Sequence, residues 1–366
     1  MRILMLSKAC VVGAYQKKLE EMARMPDLEL TVVVPPYWRD ERGTLELERQ
    51  HTEGYELVVE PMALNGNFHL HFYPGLGKHM RRVRPDLVHI DEEPYNLATT
   101  HALWLARRAG ARSLFFSWQN LLRRYPLPFR MMERYVLSHA DYAIVGNQES
   151  AQVWRTKGYQ GRLAVIPQFG VDPEIFRPAP RPEGRGFVIG YVGRLVEQKG
   201  VDLLLEALSG LEGTWRAYVL GSGPESEALR SQARRLRLAS RVSFDEPLPS
   251  SQMPTYYHQL DVLVVPSRTR PNWKEQFGRV IVEAMACGVP VIGSDSGEIP
   301  NVIGDAGLVF PEEQVEVLRA HLARLLGDPS LHKELARRGR ERILARFTQA
   351  QIAAQTYRVY RAVLAS

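Results

Sequence analysis

Short runs of β-branched and leucine residues alternate with longer amphipathic segments along the whole chain, and this alternation constrains the fold more than any other feature. Tight turns cannot join parallel strands. Each strand needs a crossover of about a dozen residues or more, usually a helix, so the pattern predicts an α/β chain built from β-α-β units. In the first half it predicts strands at 2–6, 30–34, 87–90, 113–116, 142–145 and 163–166, with helices over 14–24, 97–108 and 131–137. The stretch from Asp172 to Gly186 is rich in proline and glycine, fits neither period and reads as a linker. A second alternation follows, with strands at 188–192, 216–220, 242–244, 262–265 and 289–293. Helices are expected at 200–208, 225–236, 252–258, 278–286, 314–326 and 331–345. A length of 366 residues suits two domains at about 150 residues each. The expected fold class is therefore α/β, with two Rossmann-like, doubly wound domains facing a cleft. Their expected boundaries are 1–170 and 171–346, and a last helix within 347–366 either covers the second domain or crosses back to the first.

Composition narrows the class. Hydrophobic residues at 45% and charged residues at 24% match ordinary globular usage. No stretch reaches the ~18 to 20 apolar residues of a membrane span. The first residues run directly into Lys8 without a signal-peptide core, so a cytoplasmic protein is expected, with peripheral contact at the inner face of the membrane as a further option. Cys10 and Cys287 are too few for a disulfide framework and lack the spacing of a zinc site. The net charge of +6 is a mild excess that suits phosphate-bearing or membrane-surface partners. Arg81, Arg82, Arg84, Arg123 and Arg124 are candidates for contact with anionic lipid, the alternative being solvated helix faces interleaved with apolar residues, and a nucleic-acid protein would show more such runs.

In open α/β sheets, ligands lie beyond the carboxyl ends of the strands, so chemistry-bearing residues should follow strands. One candidate is Gly190-Tyr-Val-Gly193-Arg194-Leu-Val-Glu-Gln-Lys199-Gly200, a strand ending in glycine and followed by two cations. Arg194 and Lys199 together can neutralise a diphosphate, the forked guanidinium and compact ammonium meeting charge that grows on a leaving group. The alternative is a solvated loop with a salt bridge to Glu197. A second candidate runs from Glu275 through Phe277, Gly278 and Arg279 to Glu283. Gly278 permits close backbone approach where the free amides of a helix start suit a phosphate. Glu275 and Glu283 are eight residues apart and would reach different parts of a ligand. Glu283 has apolar flanks and is costly to bury unpaired, which leaves an internal salt bridge to arginine as the alternative. Gly221 follows a third strand in Leu220-Gly-Ser-Gly-Pro224, which lacks the last glycine of a dinucleotide fingerprint.

The Glu275 to Glu283 segment resembles the Glu-x7-Glu signature of the retaining glycosyltransferases of family 4. Tyr191-Val-Gly-Arg-Leu195, Gln198-Lys-Gly200, Leu220-Gly-Ser-Gly-Pro224, Ile166-Pro-Gln-Phe-Gly-Val-Asp172 and Asp305-Ala-Gly-Leu-Val-Phe310 resemble other landmarks of that family, in its order. The resemblance implies a GT-B fold, with the first domain binding acceptor, the second binding a nucleoside diphosphate sugar, and the C-terminal helix crossing back. It implies that Arg194 and Lys199 hold the donor diphosphate, Glu283 the ribose hydroxyls and Glu275 the transferred sugar. The backbone of Phe277, Gly278 and Arg279 then assists, and the loop bearing Gly13 approaches the phosphates across the cleft. Gly193 and Gly221 belong to the same expected donor site. No metal and no cofactor are implied, positive side chains and helix ends serving instead as charge stabilisers.

The chain also departs from the family pattern. The first loop holds one glycine, Gly13, where many relatives have two, and Lys8 and Lys17 either add charge there or are surface residues. Where a histidine often follows a mid-domain strand in the family, this chain reads Ser117-Trp118-Gln119-Asn120. Gln119 and Asn120 either position acceptor hydroxyls or cap the following turn. Asp91 and Glu92, in His89-Ile-Asp-Glu-Glu-Pro-Tyr95, either bind the acceptor or cap the following helix. Gly297-Glu298 stands where relatives often carry two glycines. The function expected is transfer of a sugar, with retained configuration, from a UDP-sugar or else a GDP-sugar to the hydroxyl of a carbohydrate, glycolipid or small-molecule acceptor. Cell-envelope glycan or glycolipid synthesis is the expected setting. A nucleotide-sugar epimerase or hydrolase, or a non-catalytic donor-binding subunit, would fit the same fold.

Overall fold

The computed structural model describes residues 1–40, 43–180, 184 and 186–365. The chain forms two compact units, Met1–Gly170 with Gln349–Ser366, and Val171–Thr348.

The first unit carries β1 (Arg2–Leu6), β2 (Glu29–Val34), β3 (Tyr37–Asp40), β4 (Gly43–Glu46), β5 (Glu56–Val59), β6 (Leu87–Ile90), β7 (Arg112–Ser117), β8 (Tyr142–Val145) and β9 (Arg162–Val165). Seven of them form a parallel sheet in the order β5-β2-β1-β6-β7-β8-β9, while β3 and β4 pair as a separate antiparallel hairpin. Ile3 pairs with Leu30 on one side and Leu87 on the other, so β1 is where the strand order reverses. Side chains alternate across a strand, and here both faces are buried. Ile3 and Met5 enter one core with Leu19 and Val32, whereas Leu4 and Leu6 enter another with Val88 and Leu103. A sheet with a core on each face is doubly wound.

The second unit carries β10 (Phe187–Val192), β11 (Trp215–Leu220), β12 (Val242–Asp245), β13 (Val262–Val265), β14 (Val291–Ser294) and β15 (Leu308–Phe310). Their order is β12-β11-β10-β13-β14-β15, all paired parallel, with the reversal between β10 and β13. Val262 and Val264 face one core, Leu263 and Val265 the other. The strand predicted from 289 begins at Val291, because Pro290 has no N–H to enter the ladder and only its carbonyl accepts, from Leu263 N at 2.9 Å.

The predicted linker is for the most part docked. Of its residues, 181–183 and 185 lie outside the described residues. Before them, the Phe176 carbonyl accepts from Arg340, the Arg177 carbonyl bonds His258 Nε2 at 2.7 Å, and Phe176 packs against the second unit's core. The final helix, Gln349–Leu364, crosses back to the first unit. There Ile352, Ala353, Val359 and Tyr360 join the core of Ile3 and Met5. The Tyr360 hydroxyl also shares a hydrogen bond of 2.6 Å with His89 Nδ1, on β6.

Candidate active site

In the second unit the predicted residues gather at the carboxyl ends of β10, β11 and β13, around the point of strand reversal. Gly193 follows β10, and Gly221, at φ +149, follows β11. A Cβ on Gly221 would lie 1.8 Å from the Gly193 carbonyl oxygen, so the two loops meet backbone to backbone. Arg194 is exposed. Its expected partner in the alternative reading, Glu197, is instead held by Arg270 at 2.8 Å. Lys199 lies in a short 3-10 turn, Glu197–Lys199, and its Nζ is 2.5 Å from Glu275 Oε2. The same ammonium stands 4.9 Å from the centre of the Trp273 ring.

Glu275 is 8% exposed and its Oε2 also accepts from Ser267 Oγ at 3.3 Å. Its backbone is clamped as well. Glu298 N donates to the Glu275 carbonyl at 3.0 Å, and Gly297, at φ +55, leaves room where a Cβ would sit 2.2 Å from that oxygen. Gly278, at φ +76, is the N-cap of the helix Arg279–Ala286, with Phe277 half-buried just before it. Glu283, one turn into that helix, accepts from Tyr257 OH at 2.8 Å and pairs with Arg279 Nε at 3.0 Å. The arginine pair foreseen as the alternative for Glu283 is thus present. Burial raises the Glu283 carboxyl above its usual range, with Arg279 opposing.

The first unit holds its own cavity of about 540 Å3 at the carboxyl ends of β1, β6 and β7. Tyr15, Trp38, Phe68 and Trp118 supply aromatic walls, and Lys8, Asp91, Glu92 and Glu93 supply charge. Glu92 is paired with Lys8 and lies 3.4 Å from His71 Nε2. Burial alone would raise its pKa, but Lys8 and His71 outweigh burial and pull it down to about 2. Asp91 accepts from Ser7 Oγ at 2.5 Å and from Gln168 Nε2 at 2.8 Å, and burial raises its carboxyl. Gln168 in turn accepts from Trp118 Nε1 at 2.8 Å, which fixes the indole in the cavity wall. Lys17, by contrast, pairs with Glu20 along its own helix. Gly13 opens the helix Gly13–Ala23 and donates its N–H to Glu48 at 2.7 Å.

Neither Asp91 nor Glu92 caps the helix Leu97–Arg108, whose N-cap is Asn96. Both line the cavity. Gln119 and Asn120 are nearly as buried but are not among the residues lining it. Gln119 Nε2 donates to the Leu121 carbonyl at 2.9 Å, in the following loop, and Asn120 Nδ2 donates to Glu149 at 3.3 Å, on the helix Gln148–Thr156. The sequence reading misses Glu93, which lines the cavity while accepting from Ser117 Oγ at 2.6 Å and Trp118 N at 2.8 Å. Burial pushes its carboxyl up to about 7 against those two bonds. Its place directly before Pro94, in a run of three acids, was the available signal.

Two doubly wound units, each with polar groups at its strand reversal, and a last helix returning to the first unit define a GT-B architecture. Residues 172–342 match the family described as glycosyl transferases group 1, and residues 19–175 match glycosyltransferase family 4. Over 328 residues the chain is 30% identical to the GDP-mannose-dependent alpha-(1-6)-phosphatidylinositol monomannoside mannosyltransferase of Mycolicibacterium smegmatis, covering 82% of each. It is 30% identical over 236 residues to a D-inositol 3-phosphate glycosyltransferase of Acidothermus cellulolyticus, spanning 56% of this chain and 51% of that relative. Among solved structures, sucrose-phosphate synthase from Thermosynechococcus elongatus superposes with a TM-score of 0.74 at 22% identity, over 100% of this chain and 99% of its own. Anabaena HepE, in complex with UDP, gives 0.73 at 20%, over 99% of this chain and 100% of its own. The chain belongs to the group 1, family 4 glycosyltransferases, and is an enzyme of that class.

Proposed function

We propose that this glycosyltransferase moves a sugar from a nucleoside diphosphate sugar to a hydroxyl of a carbohydrate or glycolipid head group, with retained anomeric configuration and without a metal ion. The observation that carries the donor half is the preassembled pair of Lys199 and Glu275 beside exposed Arg194, at the strand reversal of the second unit. Arg194 and Lys199 take the diphosphate, and their charge offsets the charge that develops on it as the glycosidic bond breaks. Glu275 accepts hydrogen bonds from the transferred sugar, and Glu283, oriented by Tyr257 and Arg279, from the ribose. The amides at Phe277, Gly278 and Arg279 and the close backbone at Gly193 and Gly221 complete the donor site within the second unit.

The acceptor half rests on the aromatic and acidic cavity of the first unit. Aromatic walls stack against sugar or cyclitol rings, and Asp91 and Glu92 accept from their hydroxyls. Gln119 and Asn120 support this site from behind, Gln119 through the next loop and Asn120 through Glu149. Retention follows if the leaving phosphate itself takes the acceptor proton on the face it departs from, which needs no histidine in the stretch from Ser117 to Asn120.

The test is a panel of UDP- and GDP-sugars measured by calorimetric binding and by nucleotide release, each with and without EDTA. The mycolicibacterial relative depends on GDP-mannose, so that donor stands beside UDP-glucose in the panel. Tight binding of one donor, unchanged by EDTA, and a product of unchanged anomeric configuration by NMR support the proposal. A requirement for divalent metal, or an inverted product, overturns the corresponding part of it.

A further inference from the structure

The five arginines that the sequence offers for lipid contact do not share one surface. Arg81 and Arg84 line a cavity with Arg2, Asp86 and Gly110, at the amino ends of β1, β6 and β7. Arg123 and Arg124 lie at the opposite end of the sheet, where Tyr125 stacks on Tyr95 with ring centres 4.3 Å apart. There they line a separate cavity of about 430 Å3 with Arg130, Glu133 and Lys157. Glu133 is already paired with Lys157. From Trp118 to Ala140 the sequence holds four arginines, at 123, 124, 130 and 134, against the single acid Glu133.

Large exposed apolar side chains are interleaved with these cations. Leu122 is 61% exposed, Leu127 69% and Met131 64%, the three highest fractions among the exposed large hydrophobic side chains of the described residues. All three fall within ten residues of the cavity's own segment. Apolar side chains of this size cost free energy in water, and three of them interleaved with three arginines over residues 122–131, with Leu122 lining the same cavity as the arginines, have the composition of a bilayer-interface segment: the chains enter the acyl boundary while the guanidinium groups meet lipid phosphates. A nucleic-acid surface would supply the charge but nothing for the leucines, and a free phosphate would leave them in water.

We propose that residues 122–131 form a docking surface for an anionic phospholipid bilayer, with Leu122, Leu127 and Met131 inserted and a lipid phosphate seated among Arg123, Arg124 and Arg130. The surface adjoins the acceptor cavity through the rings of Tyr125, Tyr95 and Phe68, the last of which lines that cavity. It therefore places the first unit's cavity at the membrane surface. Binding itself requires neither donor nor acceptor.

The experiment is co-sedimentation of the full-length chain with vesicles of phosphatidylcholine alone or mixed with phosphatidylglycerol, without nucleotide sugar, across a salt series. The expected result is binding to the mixed vesicles only, weakening with salt. Binding should weaken by about tenfold or more in R124E/R130E, since each cation contributes near an anionic surface. It should weaken comparably in L122D/L127D/M131D, whose exposed positions leave the cores intact, as circular dichroism checks. Wild-type binding in either variant overturns the proposal. So does competition by inorganic phosphate combined with unchanged binding of the leucine and methionine variant, which would make the cavity a soluble-anion site. If mixed vesicles bind but no nucleotide sugar does, the donor reading fails and this one stands.

Discussion

Lys199 Nζ and Glu275 Oε2 are 2.5 Å apart in the second unit, and the pair joins a loop after β10 to the segment before the helix Arg279–Ala286. Each partner has a second restraint, Trp273 for the ammonium and Ser267 for the carboxylate. An ammonium held in this way meets a phosphate without first being ordered, and a carboxylate so held can orient a sugar hydroxyl. Glu275→Ala is therefore expected to lower turnover by about 10²–10³-fold, the usual loss for one preorganised polar group in a transition-state site. Arg194→Ala should weaken donor binding as well as turnover. Steady-state rates with saturating donor and calorimetric donor affinity check both. Wild-type values in both variants would remove these residues from the site.

The loops after β10 and β11 give a prediction about folding. A Cβ at Gly221 would lie 1.8 Å from a backbone oxygen, and φ there is +149. Gly110 also has a positive φ, +71, yet nothing lies within 4 Å of its added Cβ. Gly110→Ala should cost about 1 kcal/mol, from backbone strain alone, and Gly221→Ala about 3 kcal/mol or more, because a backbone must also move. Urea unfolding of the two variants measures the difference. Equal losses would mean that the Gly193 and Gly221 loops separate freely, and that their close approach does not build the donor site.

Much of this arrangement is legible in the sequence, for a physical reason. β1, β6, β8 and β13 are buried on both faces, so they read as continuous apolar runs whose ends are sharp, and residues just beyond them fall at the strand reversals. The hairpin of β3 and β4 gives no such signal: its residues are half-buried or exposed throughout, so no apolar alternation marks it, although Trp38 on it lines the first unit's cavity. The helix Leu76–Val83 is hidden by Gly75 and Gly77, and the helix Gln148–Thr156 carries a signal that was there to read, Asn147 accepting from Ser150 N at 2.8 Å. Side-chain direction just after a strand is harder. Asp91, Glu92 and Glu93 line the cavity while Gln119 turns to the next loop and Asn120 to Glu149, a choice in which Lys8, Trp118 and Glu149 take part from distant parts of the chain.

Gly146 backs the Trp118 wall of the first unit's cavity. It carries no positive φ, so its backbone accepts alanine, but an added Cβ would lie 1.9 Å from the Trp118 ring. Gly146→Ala must therefore push the indole away from its bond to Gln168. The expected result is a raised acceptor KM with little change in donor affinity, together with a stability loss of about 1–3 kcal/mol from overpacking. Acceptor-dependent kinetics and tryptophan fluorescence report the two effects. An unchanged acceptor KM with a shifted fluorescence would place the acceptor away from Trp118.

Glu92 and Glu93 are neighbours with opposite electrostatics, and the signs of their pH effects differ. Glu92, pulled from 4.5 to about 2 by Lys8 and His71 against burial, binds a proton less readily folded than unfolded. Its contribution to stability is present above the unfolded value and is lost as pH falls from about 4.5 toward 2. Glu93, pushed by burial from 4.5 to about 7, holds its proton more firmly when folded. Its contribution is full below about 4.5 and is lost as pH rises toward 7, because the folded state then retains a proton that the unfolded state has released. Glu93→Gln keeps an oxygen to accept from Trp118 N and places an amide beside Ser117 Oγ, which can accept. The variant is therefore expected to gain stability relative to wild type between about pH 4.5 and 7, by on the order of 2 kcal/mol after allowance for the partial exposure of residue 93. Urea midpoints of both proteins at pH 5 and pH 8 measure this. A difference that stays constant between the two would show that Glu93 titrates as an ordinary carboxylate, and the low-dielectric character assigned to that side of the cavity would have to be withdrawn.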